Sequence, residues 1–299
     1  MALFVLSDFI YMKKRKRPVD IVVISDVHLG TFGCHAKELL KYLKSIQAKT
    51  IILNGDIIDM WQFKKRYWPK SHMKLIKYLI GLIAHGTRTY YITGNHDETL
   101  RKFQNTRLGS LEIVNNLTLR VNGEKIWFFH GDVFDVIMKY SKWLAKLGAI
   151  GYDSLIYINV FINFISRKVF RQGKISLSKK IKENVKTAVN FINKFETTAA
   201  RLAITKGYSR IVCGHIHHPE IRTINDEQGN SVIYMNSGDW IENLSALEYY
   251  NKEWHIYKYS EDKTARLNGF DMDEEGTNIV DLKNKEIFHK MLDDFIHSS

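Results

Sequence analysis

Five short stretches of this chain carry side chains that can hold metal ions: Asp26-Val27-His28, Gly55-Asp56, Gly94-Asn95-His96-Asp97, His130-Gly131-Asp132 and Gly214-His215-Ile216-His217. The donors they offer are Asp26, His28, Asp56, Asn95, His130, His215 and His217. Mixed carboxylate and imidazole donors suit Mn2+, Fe or Zn2+ better than Ca2+, which takes oxygen ligands. Seven such donors exceed one ordinary site and suit two ions that share a carboxylate. Each stretch alone is weak, because Asp-x-His also ends strands as a polar turn and an Asn is a turn residue before it is a ligand. The alternative, structural histidines among scattered turn acids, would need chance to place all five stretches at strand ends in one chain.

The elements that must position these residues are short apolar runs. Ile21–Ile24 runs into Ser25 and Asp26, Thr50–Leu53 into Asn54-Gly55-Asp56, and Thr89–Thr93 into Gly94. Lys125–Phe129 ends at His130, and Arg210–Cys213 ends at Gly214. The carboxyl ends of strands are where open α/β sheets place their ligands. Residues two apart in an extended chain point to one side, which pairs Asp26 with His28 and His215 with His217. Helical spacing predicts helices over Ala36–Gln47, Ser71–His85, Asp135–Leu147, Ser154–Phe170, Ser178–Lys206 and Lys283–Ile296. Ile113–Val121, Asn122-Gly123 and Lys125–Phe129 read as a hairpin, since Asn-Gly is the strong turn signal. Further strands are expected at Ser231–Asn236, Ala246–Tyr250 and Trp254–Tyr259. Asp59 caps a helix or supports the donors; Asp132, Asn236 and Asp239 orient imidazoles or cap turns; Trp61 and Trp68 flank an entrance or pack.

A chain of 299 residues accommodates one large α/β domain with an insertion, or two modest domains. Its 45% hydrophobic and 25% charged residues are an ordinary globular balance. Two cysteines, Cys34 and Cys213, exclude a disulfide framework and fit a reducing compartment. A net charge of +12 favours nucleic acid, phosphorylated metabolites or an anionic membrane surface without choosing among them. The opening MALFVLSDFIYMKKRKRPVD puts its apolar stretch ahead of its charges, the reverse of a secretory signal. Residues 1–19 therefore read as an arm, either disordered or lying on a surface, with a membrane-surface anchor as a second reading. No run of 18 apolar residues occurs, so no transmembrane helix is expected. Residues 20–260 form the expected domain, with a helical insertion over about 135–206 and an extension over 261–299. Within the insertion, SLIYINVFINFISRKVF is apolar around most of a helix and ends in Arg167, Lys168, Arg171 and Lys174. Such a helix is packed in a core, lines a cavity for acyl chains or meets a membrane.

The order DVHLG, NGDIID, GNHDE, HGD, GHIHHP resembles that of the calcineurin-like metallophosphoesterases over about residues 20–250. The resemblance implies an α/β fold, a four-layer sandwich of two mixed β-sheets flanked by helices, with metals at the strand ends. It implies one ion on Asp26, His28, Asp56 and His217 and another on Asp56, Asn95, His130 and His215, with Asp56 as the bridge. His96 would meet the phosphate and stabilise or protonate the leaving group, and Asp97 would orient it. Two ions about 4 Å apart hold a hydroxide and clamp phosphate oxygens for in-line attack. NGDIIDMW, HGDVFD, LSKKIKENVKTAVNFINKFE, CGHIHHP and NSGDWIEN are similar to the branch containing UDP-2,3-diacylglucosamine hydrolases. That branch cuts a pyrophosphate in lipid A biosynthesis, releasing UMP and a diacylglucosamine 1-phosphate. It implies two divalent ions, typically Mn2+, a lipid-linked nucleotide as substrate, and a cytoplasmic protein peripheral on the inner membrane. On that pattern Phe161 and Phe164 would receive acyl chains, and Arg167, Arg171 and Lys174 would meet phosphates. The best-known members of the branch carry Arg after the metal-binding Asn, whereas His96 stands here as in generic metallophosphoesterases. Two other functions are compatible with the motifs: hydrolysis of another phosphodiester or phosphomonoester, and a non-catalytic scaffold. No interleaved aromatic and basic reader motif points to nucleic acid, and a scaffold would be expected to have lost donors that are all in place.

Overall fold

A computed structural model of the chain describes residues 16–61, 67–134 and 192–262. In chain order its strands are β1 (Arg17–Ile24), β2 (Ile46–Asn54), β3 (Arg88–Ile92), β4 (Arg107–Leu108), β5 (Leu111–Val114) and β6 (Asn116–Val121). They continue as β7 (Glu124–Phe129), β8 (Arg210–Cys213), β9 (Glu220–Asn225), β10 (Ser231–Asn236), β11 (Ser245–Tyr250) and β12 (Glu253–Lys258). One mixed sheet of seven strands runs β12-β11-β1-β2-β3-β5-β4, and a mixed sheet of five runs β6-β7-β8-β10-β9. The described helices are α1 (Ala36–Ser45), α2 (Lys70–Ala84) and α3 (192–205).

The layers follow from the alternation of each strand. Ile21 and Val23 of β1, Ile52 of β2, Ile126 and Phe128 of β7, Val212 of β8 and Met235 of β10 form one cluster, so the two sheets pack face to face. The alternate residues of the first sheet, including Val22, Ile24, Ile51 and Leu53, pack on Leu39 and Leu43 of α1 and Leu75 and Leu79 of α2. On the other side Phe129, Ile211, Cys213, Val232 and Tyr234 pack on Phe195, Ala199 and Ala203 of α3. The result is helices, sheet, sheet, helix, the expected four layers. Nonpolar burial at about 1.5–3 kcal/mol per large aliphatic side chain favours this stacking over any arrangement that wets one face.

Three local expectations are corrected. Ile113–Val121 is not one strand: β5 belongs to the seven-stranded sheet and β6 to the five-stranded sheet. The chain changes sheet at Asn115, whose side chain accepts from Thr93 Oγ1 at 3.0 Å and donates to Gln104 at 2.6 Å. The helix expected to reach Gln47 ends at Ser45, because Ile46 is extended and opens β2. β1 starts at Arg17, before the expected domain start at residue 20; the Arg17 guanidinium donates twice to the buried Glu248, at 2.7 and 2.6 Å, on the neighbouring β11. The strand β9, antiparallel to β10, was not anticipated. The expected helices Asp135–Leu147, Ser154–Phe170 and Lys283–Ile296 lie outside the described residues. Among the described residues no helix is long and apolar enough to cross a membrane.

Candidate metal centre

The donors are delivered by turns, not by strand alternation. β1 ends at Ile24, and Asp26 and His28 both have left-handed backbone, with φ of 52° and 51°. Asp56, His215 and His217 share that conformation, with φ of 55°, 64° and 57°. The pairing of Asp26 with His28 and of His215 with His217 thus comes from successive left-handed turns, which corrects the extended-chain expectation. Left-handed backbone costs about 1 kcal/mol or more per non-glycine residue. Five such positions are a sizeable fraction of a domain's net stability of about 5–15 kcal/mol. Hydrogen bonds between the loops hold them. Val27 and His28 N–H both donate to the Asp56 carbonyl at 3.0 and 2.9 Å, and Gly214 N–H donates to the His130 carbonyl at 3.0 Å. His215 N–H donates to the Asp26 carboxylate at 3.0 Å.

Two motif glycines are required by close approach. A Cβ on Gly55 would lie 2.3 Å from His130 Nδ1, and one on Gly94 would lie 2.2 Å from Asp56 Oδ1. Each glycine therefore makes room for a donor carried by a different loop.

The structure brings together Asp26, His28 and His217 as one group of donors, and Asp56, His130 and His215 as another. A third group, His28, Asp56 and His96, overlaps both the first and the second. Asp56 is buried; its Oδ2 lies 3.2 Å from His130 Nε2 and 3.9 Å from His28 Nε2, and its Oδ1 accepts from His96 N–H at 2.8 Å. His130 Nδ1 lies 2.9 Å from the Asn54 carbonyl, which only accepts, so Nδ1 carries the proton and Nε2 faces the cluster. The Nε2 atoms of His28 and His130 and Oδ1 of Asn95 are buried and take no hydrogen bond among the described residues. Buried polar atoms are ordinarily satisfied. Ligand atoms left without a partner beside carboxylates are what a divalent cation takes up, so the residues present fit a metal centre.

The electrostatics agree. Burial alone would lower the His217 pKa, but the Asp26 carboxylate 3.1 Å away raises it to about 9. Burial would raise Asp26, but the charge and hydrogen bond of His217 bring it down to about 2. His130 is likewise held well above the ordinary imidazole value by Asp56, against the effect of its burial. In the metal-free protein the neighbouring carboxylates favour the protonated form of these imidazoles, and a ligating imidazole must be neutral. Binding a divalent cation at pH 7 is therefore expected to release protons, and affinity should fall as pH drops below about 9. Calorimetric titration with Mn2+ in buffers of different ionisation enthalpy measures the release; an apparent enthalpy independent of buffer would contradict it.

The expectation that Asp97 orients His96 is corrected. The Asp97 carboxylate accepts from Gly94 N–H at 2.6 Å, Ile57 N–H at 2.9 Å and Tyr91 O–H at 2.6 Å, and so fastens the second and third loops together. The carboxylate beside the His96 ring is Asp59, 3.1 Å from Nδ1; it also lies 3.6 Å from His28 Nδ1. Trp61 packs over the His96 ring at 4.1 Å between centroids and is 41% exposed. Asn236 donates to the Gly214 carbonyl at 2.8 Å, and Asp239 caps the 241–243 turn and lies 3.8 Å from His217 Nδ1. Trp68 packs against Gly30 and His72. Phe161, Phe164, Arg167, Arg171 and Lys174 lie outside the described residues.

Residues 19–219 match the family described as Calcineurin-like phosphoesterase. The chain is 24% identical over 245 residues to a UDP-2,3-diacylglucosamine hydrolase of Aliivibrio fischeri, covering 80% of this chain and 98% of that protein. A UDP-2,3-diacylglucosamine hydrolase of Blochmanniella pennsylvanica is also 24% identical over 245 residues, covering 78% of this chain and 93% of its own. A solved structure of an archaeal phosphodiesterase superposes over 80% of this chain with a TM-score of 0.37 and 11% identity. That likeness is too distant to carry weight, and the fold rests on the sheets themselves.

Proposed function

Since the chain belongs to the calcineurin-like phosphoesterase family and is a metal-dependent hydrolase, we propose that it hydrolyses the pyrophosphate of UDP-2,3-diacylglucosamine. The products are UMP and a diacylglucosamine 1-phosphate, a step of lipid A biosynthesis. The observation that carries the dimetal reading is that Asp56 is shared between donor groups on either side of it. The substrate is supported by relatives so named that align over 98% and 93% of their lengths.

On this reading Asp26, His28, Asp56 and His217 hold one ion, and Asp56, Asn95, His130 and His215 hold the other, most simply Mn2+. Bound there, the ions supply Lewis acidity and an acidified water. The chain supplies the remaining chemistry. His96, 4.0 Å from Asp56 Oδ2, faces the reacting phosphate and gives a proton to the oxygen that leaves. Asp59 holds its ring, and Trp61 shields one face of that ring from water. Water adds across the P–O bond, one phosphate keeping the hydroxyl oxygen and the other leaving as the protonated monoester. On the same reading Phe161 and Phe164 receive acyl chains, and Arg167, Arg171 and Lys174 meet phosphates. The protein then works in the cytoplasm, peripheral on the inner membrane.

His96 favours a second reading, a phosphodiesterase of broader range, since an imidazole protonates any alkoxide leaving group. Hydrolysis of UDP-2,3-diacylglucosamine and of bis-p-nitrophenyl phosphate, both with Mn2+, separates the two. The proposal predicts kcat/KM for the lipid at least about 100-fold above the generic ester, as expected when remote binding energy is used at the reacting centre. Turnover of the generic ester alone would discard the lipid assignment and keep the second reading.

A further inference from the structure

We propose that Arg101 is a catalytic residue of this site, taking the non-bridging oxygens of the scissile phosphate on the open edge of its guanidinium. The proposal rests on the phosphoesterase reading above. Arg101 lies on the short 3-10 helix Glu98–Phe103, six residues beyond Asn95. Its Nη2 donates to the Asp132 carboxylate and lies 3.4 Å from the Gly94 carbonyl. Both anchors belong to donor loops. Gly94 precedes Asn95 and presses against Asp56, and Asp132 follows His130 by two residues. The cation is therefore held at the seam between the loops that deliver Asn95 and His130.

A guanidinium carries five N–H donors in a rigid fork. Among the described residues only those on Nη2 find acceptors, and the side chain remains 34% exposed. An ordinary surface ion pair leaves both partners wet and is worth about 0–1 kcal/mol. Here the carboxylate is 9% exposed, so one edge of the fork is fixed by a buried anchor and the other is free. An arginine presented in this way matches the paired oxygens of a phosphate. Charge grows on those oxygens in the transition state, and a cation fixed in advance stabilises it without reorganisation.

The test uses the full chain loaded with Mn2+, inorganic phosphate as probe, and the variants R101Q and R101K. Phosphate binding is followed by tryptophan fluorescence, since Trp61 packs on His96, and by competitive inhibition. R101Q is expected to bind phosphate about tenfold more weakly or worse, the size of a lost charge-assisted pair. Its Mn2+ content should be unchanged, and kcat/KM should fall by a similar factor for lipid and generic ester, because the lost contact is to the phosphate both share. R101K keeps the charge and loses the fork, and should fall between wild type and R101Q; it carries the test alone if R101Q does not fold. Phosphate binding equal to wild type, or loss of Mn2+ in either variant, overturns the proposal and leaves Arg101 a brace between loops. Hydrolysis of neither ester by the wild-type chain overturns the phosphoesterase reading itself.

Discussion

Asp56→Asn is expected to lower kcat/KM by about 10³-fold or more, equivalent to about 4 kcal/mol of transition-state stabilisation. The substitution keeps shape and removes one negative charge at the point where the donor groups overlap. A neutral amide cannot bridge two divalent cations, and the imidazoles of His28 and His130 would lose the carboxylate oxygen they face at 3.9 and 3.2 Å. The amide oxygen can still accept from His96 N–H, so the loop it holds at 2.8 Å should keep its place. The result is a folded protein with at most one ion per chain, measured by elemental analysis beside turnover and thermal melting. Full turnover by this variant would remove Asp56 from the centre.

His96→Gln is the second large effect, and its signature differs. Loss of a positioned acid costs about 10²–10⁴-fold in rate. His96 is not among the proposed metal ligands, so metal content should stay at the wild-type level while kcat falls. Asp59→Asn should reproduce part of that loss, since the Asp59 carboxylate lies 3.1 Å from His96 Nδ1. If Asp59 acts through His96, the double variant is no slower than His96→Gln alone, because residues acting as a unit are not additive. Additive losses, or a fall in metal content on replacing Asp59, would assign Asp59 to the support of His28 instead, 3.6 Å away.

The donor set was legible because each donor closes a run of buried apolar residues, and the alternation of those runs sets the sheet faces. Val23 and Ile52 turn to the other sheet while Val22 and Ile51 turn to the helices, as period two requires. The same local logic misjudged how Asp26 meets His28. Left-handed backbone at both positions is held by hydrogen bonds to Gly55 and Asp56 in the loop after β2, and spacing within the motif contains nothing of that. It also chose the wrong carboxylate for His96. Asp97 is its neighbour in sequence, yet the ring meets Asp59, which a different loop carries. Asn115 hid a change of sheet, because the period-two alternation of Ile113, Leu117, Leu119 and Val121 carries on across it. In the sequence Arg101 is one cation in a charged stretch; only the fold places it against Asp132.

The most direct measurement is a Mn2+ titration of the metal-free chain with bound ions and bis-p-nitrophenyl phosphate turnover recorded together. A shared-carboxylate dimetal centre predicts no turnover without metal and a maximum as the second ion per chain is bound. Full turnover in the metal-free protein, or a chain that binds no ion at these donors, would contradict it.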